Sequence, residues 1–452
     1  MSTYRLTYCS NVHAAPDLAA VVAALRAHTA PVAAAARAAG RPMGWGGWLP
    51  DDLAARLLAE PAAHAELAAA LAAAGTPLWT LNAFPFGDFH DAVVKTAVYR
   101  PDWATEERLQ YTRRCAEVAA ALAPPGACVP ISTLPLGYRA PGEPPADLRV
   151  MARNLARCAS AFAALEERTG VRCVLALEPE PDCLVETAAA TAAFLERWLF
   201  DEGAWTTVPA AALRRHLGVC VDLCHLAVVG EDALAALADL AARGIAVPKI
   251  QVSSCLEVRA AEGLDRLLAF AEPRYLHQTV ARGGVRALDL PDVAAARAQF
   301  AAAGVVRSHY HVPLDWDEAG AFGSTQREVA RVLRGLPALP GPVPLLEVET
   351  YTWGVLGGFA GDAPLHQRIA RELAWVAGEL AAAGLRPEPD RVRAEEALRR
   401  RHDGGRDDER GLDGAPVRAG AAAAQAPGDL PRRAGAGVGS AAEGGAAADG
   451  GG

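Results

Sequence analysis

Five short stretches gather residues that can bind a metal or move a proton. LALEPEPD carries Glu178 with Glu180 beyond it, and GVCVDLCH carries Asp222 and, three residues on, His225. KIQVSS offers Gln251, SHYHVPL offers His309 and His311, and LLEVETYTW offers Glu347 and Glu349. Read with the period of two that a strand imposes, the polar residues fall on one face. Lys249, Gln251 and Ser253 oppose Ile250 and Val252; Glu347, Glu349 and Tyr351 oppose Leu346 and Val348; His309 and His311 oppose Tyr310 and Val312. A carboxylate turned into a closed interior must be paired, protonated or bound to metal, because a lone buried charge is very costly. A mixed set of Glu, Asp, His and amide oxygen suits one divalent ion of the Mn, Mg, Co or Zn kind. The competing reading is a buried ion-pair network, for example Glu347 with Lys249 one layer deeper.

Such residues need elements that converge. Short β-branched or apolar runs alternate with long Ala/Leu/Arg-rich runs. The strand candidates are Tyr4–Cys9, Met43–Leu49, Leu78–Asn82, Cys128–Thr133, Arg172–Glu178, Gly218–Leu223, Lys249–Ser253, Val306–His311 and Val343–Thr350. Strand and helix repeated eight or nine times is the pattern of a parallel α/β fold, and the number points to a closed (β/α)8 TIM barrel. An open doubly wound sheet would carry a glycine-rich phosphate turn after an early strand, and the first strand instead runs into Cys-Ser-Asn-Val-His. Nine candidates compete for eight places, so one lies outside the barrel; 255–304 reads as the insertion. In a barrel the chemistry sits at the C-terminal ends of the strands. Those ends add Asn11 and His13, Asn82 and His90, and Ser132 to the set.

Composition narrows the function. The 452 residues hold 44 Lys+Arg against 53 Asp+Glu, and only Lys95 and Lys249 are lysines. A net −9 without a basic stripe argues against nucleic acid. No window of 18 residues reads as strongly apolar without charge, and the start lacks a basic then apolar leader, so the expectation is a cytoplasmic protein. Nine scattered cysteines without a CxxC pair read as reduced core thiols. From Pro387 to Gly452 there is no aromatic residue, and 14 of the 42 glycines fall there. Such a segment cannot bury enough apolar area to offset its ordering entropy. The expected organisation is a barrel over 1–386 and a disordered tail over 387–452.

LEPEPD, VDLCH, KIQVSS and LEVETY, in that order, resemble the motifs of the xylose isomerase-like, sugar phosphate isomerase/epimerase TIM barrels. LTYCSNVH, TLNAFPFGDFH, KTAVYRPDW, STLPLGY, YLHQ and SHYHVPL are closer still to the metabolite traffic protein EboE family, over nearly all of 1–386. The resemblance implies a metal-dependent isomerase or epimerase acting by proton transfer on a small polyhydroxylated metabolite. It places Glu178, Asp222, His225 and Glu349 at family positions, with Gln251 where a metal-binding histidine is expected. Either Gln251 ligates through its amide oxygen, or His309 or His311 supplies the nitrogen. Glu178 and Glu349 are then the proton-transferring pair, and Asn11, His13, Asn82 and His90 contact substrate. The family also suggests a secondary-metabolite processing or export pathway, with partner proteins of that pathway. Two alternatives stand beside it: a metal-dependent phosphoester hydrolase on the same barrel, and a non-catalytic metabolite-binding protein.

Overall fold

The computed structural model describes residues 2–389, except 140, 143–145, 202–205, 260–262 and 356–361. The expected tail therefore lies outside the described residues, apart from its first three. Of these, Pro387 belongs to a short parallel pair formed by Arg386–Pro387 with Thr3–Tyr4, and Glu388 N–H donates to Tyr4 O.

Seven parallel strands follow in chain order: β1 (Leu6–Tyr8), β2 (Trp45–Trp48), β3 (Leu78–Asn82), β4 (Cys128–Thr133), β5 (Arg172–Leu177), β6 (Leu217–Asp222) and β7 (Ala246–Val252). A six-stranded antiparallel sheet then interrupts the repeat. Its members are β8 (Cys255–Val258), β9 (Thr279–Ala281), β10 (Arg286–Ala287), β11 (Val306–His311), β12 (Glu318–Ala319) and β13 (Phe322–Ser324). The eighth barrel strand, β14 (Leu345–Val348), comes last and slots between β7 and β1. The barrel sheet runs β1-β14-β7-β6-β5-β4-β3-β2, and a parallel bridge from Cys9 to Gly46 closes it. This is the TIM barrel expected from the repeat, with a late insertion.

The insertion corrects one strand. Val306–His311 is not a barrel strand but the centre of the second sheet, antiparallel to β8 and β9. The inserted sheet accordingly extends to Ser324, twenty residues beyond the expected limit at Gly304. Its side chains build a core of their own around Phe300, Tyr310 and Phe322. The Ala/Leu-rich run over 51–74 forms two helices, Asp51–Ala59 and Pro61–Ala74. Pro61 has no N–H to give, and its ring pushes Glu60 into extended backbone. A short helix, Leu223–Val229, had no sequence signal of its own, because Asp222 both ends β6 and caps it.

The Ala-rich run Leu18–Ala38, which carries Arg26 and Arg37, is 21 residues long with mean hydropathy 1.5, long and apolar enough by composition to span a bilayer. Here its Leu18, Val21, Val22, Leu25 and Val32 pack into the barrel core.

Inside the barrel, period two places the polar face inward as expected. Lys249 and Glu347 are fully buried and pair at 2.5 Å. Lys249 Nζ also donates to Ser132 Oγ at 3.1 Å and Thr80 Oγ1 at 3.3 Å. Burial works against the Lys249 charge, but Glu347 together with smaller contributions from Cys220 and Cys9 holds the ammonium above its ordinary value. Gly46 makes this packing possible. A Cβ there would sit 2.0 Å from Glu347 Oε1 and 2.6 Å from Tyr8 O.

Candidate active site

Above the Lys249–Glu347 layer, three strand ends deliver three carboxylates. Glu178 follows β5, Asp222 ends β6 and Glu349 follows β14. One oxygen of each lies within 4.8 Å of the others, and all three residues are buried. Glu349 is positioned by two amides: Asn11 Nδ2 donates to its Oε1 at 2.7 Å and Asn82 Nδ2 at 3.2 Å. Asp222 Oδ1 accepts from His225 N–H and from Ser253 Oγ, each at 2.8 Å. These bonds leave Glu178 Oε2 and Asp222 Oδ2 buried without a hydrogen-bond partner.

Crowding like charges out of water disfavours ionisation. Burial, then Asp222 and Glu347, push Glu349 up to about 8. Burial, then Glu349 and Asp222, hold Glu178 well above the carboxylate range. Such a cluster keeps protons or takes a cation.

The inserted sheet supplies the nitrogen. His311, on β11, reaches over the barrel mouth. Its Nδ1 faces Glu349 O at 2.6 Å, and a carbonyl only accepts, so Nδ1 carries the proton. Nε2 is then a lone pair, buried, without a hydrogen-bond partner and 4.0 Å from Asp222 Oδ2. Asp222, His225 and His311 form a second group of convergent ligand atoms. Gln251 is fully buried in the barrel interior, with neither amide atom hydrogen-bonded. Orphaned acceptors on Glu178, Asp222 and His311, beside Glu349, are donor types that a divalent ion of the Mn or Zn kind takes.

A third group joins Glu180, His225 and His309. His225 Nδ1 donates to Pro179 O at 3.0 Å. Gln278 Nε2 faces Tyr99 OH and the carbonyl of Pro181, so its Oε1 accepts from His309 Nδ1 at 2.7 Å. Both Nδ1 atoms are thus protonated, yet the two Nε2 atoms meet at 3.0 Å. Two lone pairs at that distance need a proton or a metal between them. Glu180 stands by: Oε1 accepts from Tyr99 OH at 2.7 Å and lies 3.5 Å from His309 Nδ1, while Oε2 has no hydrogen-bond partner.

The structure divides the residues expected at the site. Glu178, Asp222 and Glu349 come together, with His311 and His225 next to them; His309 pairs with His225 on the Glu180 side. Asn11 and Asn82 line the cavity, but their amides hold Glu349. His13 does not line it: its ring bonds Tyr8 OH at 3.0 Å and stacks on His28 at 4.7 Å, because the turn after β1 points it towards the helix that follows. His90 does not line it either; its Nε2 meets Asn11 O at 2.7 Å and so steadies the backbone beside Asn11. Tyr351, which period two puts on the inward face with Glu349, lines the cavity, whereas Tyr99, Tyr275 and Gln278 were missed. They lie on loops or the insertion, where no period marks an inward face.

The cavity above the carboxylates encloses about 530 Å³, counting its open mouth. Its floor is Glu178, Glu180, His225, His309 and Glu349; Phe84, Phe89, Val94, Tyr275, Leu276 and Tyr351 build much of its wall.

Residues 33–272, just over half of the chain, match the family model described as xylose isomerase-like TIM barrel. Among solved structures, an L-ribulose 3-epimerase is 14% identical with a TM-score of 0.45, covering 87% of this chain and 98% of its own. A 3-keto-D-glucoside 4-epimerase from E. coli is 12% identical with a TM-score of 0.40, covering 84% and 99%. A D-psicose 3-epimerase is 12% identical with a TM-score of 0.36, covering 74% and 88%. No curated protein matches the chain. With the family model spanning most of the barrel, the chain belongs to the xylose isomerase-like TIM barrel family.

Proposed function

We propose that the protein is a divalent-metal-dependent isomerase or epimerase that moves a proton beside the carbonyl of a small polyhydroxylated metabolite. The observation that carries this reading is the convergence of Glu178, Asp222 and Glu349 within 4.8 Å, buried, under the free Nε2 of His311. Glu178, Asp222, Glu349 and His311 would hold the ion, with Gln251 able to add an amide oxygen. A bound divalent ion supplies Lewis-acid polarisation of the carbonyl and stabilises the negative charge left when the neighbouring carbon loses its proton. Glu178 and Glu349 remove and return that proton. Without an ion, burial and mutual repulsion hold both above the carboxylate range; a carboxylate on a metal-bound substrate's flank is the usual group for such a transfer. Asn11 and Asn82 fix the Glu349 oxygen that faces them.

Neither lysine competes for a role in the chemistry. Lys249 is committed to Glu347 beneath the floor, and Lys95 to Asp289 on the rim. This favours proton transfer over a lysine-assisted hydride shift. The test is incubation with a hydroxy-ketone probe in D2O. Deuterium entering the carbon next to the carbonyl supports the reading; product formed without deuterium opposes it.

A second reading rests on the Glu180–His225–His309 group. Were that group to hold another ion, the site would resemble a multi-metal phosphoester hydrolase. Metal counting separates the two: one ion per chain favours the isomerase, two or more with phosphate release the hydrolase. The sequence resemblance to the metabolite traffic protein EboE family supports a role in secondary-metabolite processing or export, in the cytoplasm.

A further inference from the structure

The cavity joins two unlike halves. Its floor is acidic. Its wall is a contiguous apolar surface in which the rings of Phe89, Tyr275 and Tyr351 touch one another with centroids 5.0 to 5.4 Å apart. Val94 and Trp48 pack into the same cluster, so the wall is preformed rather than assembled on binding.

A phosphorylated or carboxylated substrate needs a cation or free backbone N–H groups. Among the described residues lining the cavity, Lys95 is the only lysine or arginine. Its Nζ already donates to Glu272 O at 2.8 Å, Tyr275 O at 2.6 Å and Asp289 Oδ2 at 2.6 Å, which uses all three protons. The internal segments outside the described set, 140, 143–145, 202–205, 260–262 and 356–361, contain no Lys or Arg. The helix that begins at the mouth, Leu223–Val229, is already capped. Its His225 N–H goes to Asp222 Oδ1 and its Cys224 N–H to Ser253 Oγ. Away from the carboxylate floor, an anionic arm would therefore find no free lysine, arginine or helix N–H in the described lining.

We propose that the substrate is electrically neutral, with a hydroxy-ketone or polyol head on the carboxylate floor and an apolar arm seated against Phe89, Tyr275 and Tyr351. The head rests on the proton-transfer reading above; the arm rests on the wall alone. The usual donors for a sugar phosphate are absent from the described lining, and a bare sugar would leave the aromatic wall facing water.

Three probes with one head test this by isothermal titration of Mn-loaded protein: dihydroxyacetone, dihydroxyacetone phosphate and 1-hydroxy-4-phenylbutan-2-one. The arylated probe is expected to bind about tenfold or more tighter than dihydroxyacetone, the phosphate no tighter, since burying a phenyl group in a preformed pocket is worth that much. In Tyr275→Ala the ratio between the arylated and bare probes should fall towards one. Tightest binding by the phosphate, equal binding by all three, or binding by none overturns the inference. The same titration on metal-free protein keeps the two readings apart. If no ion binds but the arylated preference persists, the functional reading fails and the arm stands. If an ion binds and the preference is absent, the arm fails alone.

Discussion

At the scale of single residues, the candidate centre is a set of buried acceptors with too few donors. Glu178→Gln removes one carboxylate from a cluster built to share a cation. It should lower divalent-ion affinity at least tenfold while leaving the far-ultraviolet circular dichroism unchanged, with both followed on one preparation. His311→Ala removes the nitrogen whose Nδ1 is tied to Glu349 O. It should cost roughly 10–100-fold in affinity by the same titration, as loss of an oriented ligand or its support commonly does. Glu372 gives a pH prediction away from the metal ligands. Its carboxylate accepts from Thr350 Oγ1 at 2.6 Å, Leu314 N at 3.1 Å and Trp353 Nε1 at 3.2 Å, and burial still pushes it up to about 7. A carboxyl raised in the folded state binds more protons folded than unfolded, so its contribution to stability falls as pH rises from about 4.5 to about 7. The stability advantage of the wild type over Glu372→Gln should therefore shrink by roughly 2–3 kcal/mol between pH 5 and pH 8, at 1.36 kcal/mol per pK unit. Urea midpoints at the two pH values measure it.

At the scale of elements, the site depends on how strands hand their ends to one another. Gly46 lets β2 close against β1 above Glu347. Gly46→Ala should destabilise by about 2 kcal/mol or more, the range of an overpacked core, in equilibrium unfolding. The buried Lys249–Glu347 pair makes a sharper case. Lys249→Met leaves Glu347 unpaired and should cost about 3–5 kcal/mol, whereas Lys249→Met with Glu347→Leu should recover most of it. Much of this was legible in the sequence. Period two put Lys249, Gln251, Glu347 and Glu349 on an inward face, because a strand alternates whatever surrounds it. It failed for β11, where the same alternation serves an antiparallel sheet: His309 and His311 do face the site, but from above the barrel rather than from its wall. Glu180, Tyr99 and Gln278 lie far apart in the chain, and nothing local announces that they meet. His13 and His90 carried the right chemistry on the right loops, and only the path of each loop decides where they point.

At the scale of the whole molecule, the barrel and the inserted sheet divide the work. The barrel delivers carboxylates from β5, β6 and β14, and an ion pair beneath them fixes the floor. The insertion lays β11 across the mouth and contributes His309, His311, Gln278 and Tyr275, so neither part makes the site alone. The central claim is that this shared centre holds a divalent ion. The most direct measurement is equilibrium dialysis of metal-stripped protein against Mn²⁺, with metal counting and melting temperature read on the same samples, beside Asp222→Asn. The wild type should retain at least one ion per chain and melt higher by the mass-action gain of a ligand that binds only the folded state; Asp222→Asn should lose both effects. A wild-type protein that retains no Mn²⁺, Co²⁺ or Zn²⁺ and melts at the same temperature with and without them would contradict the account.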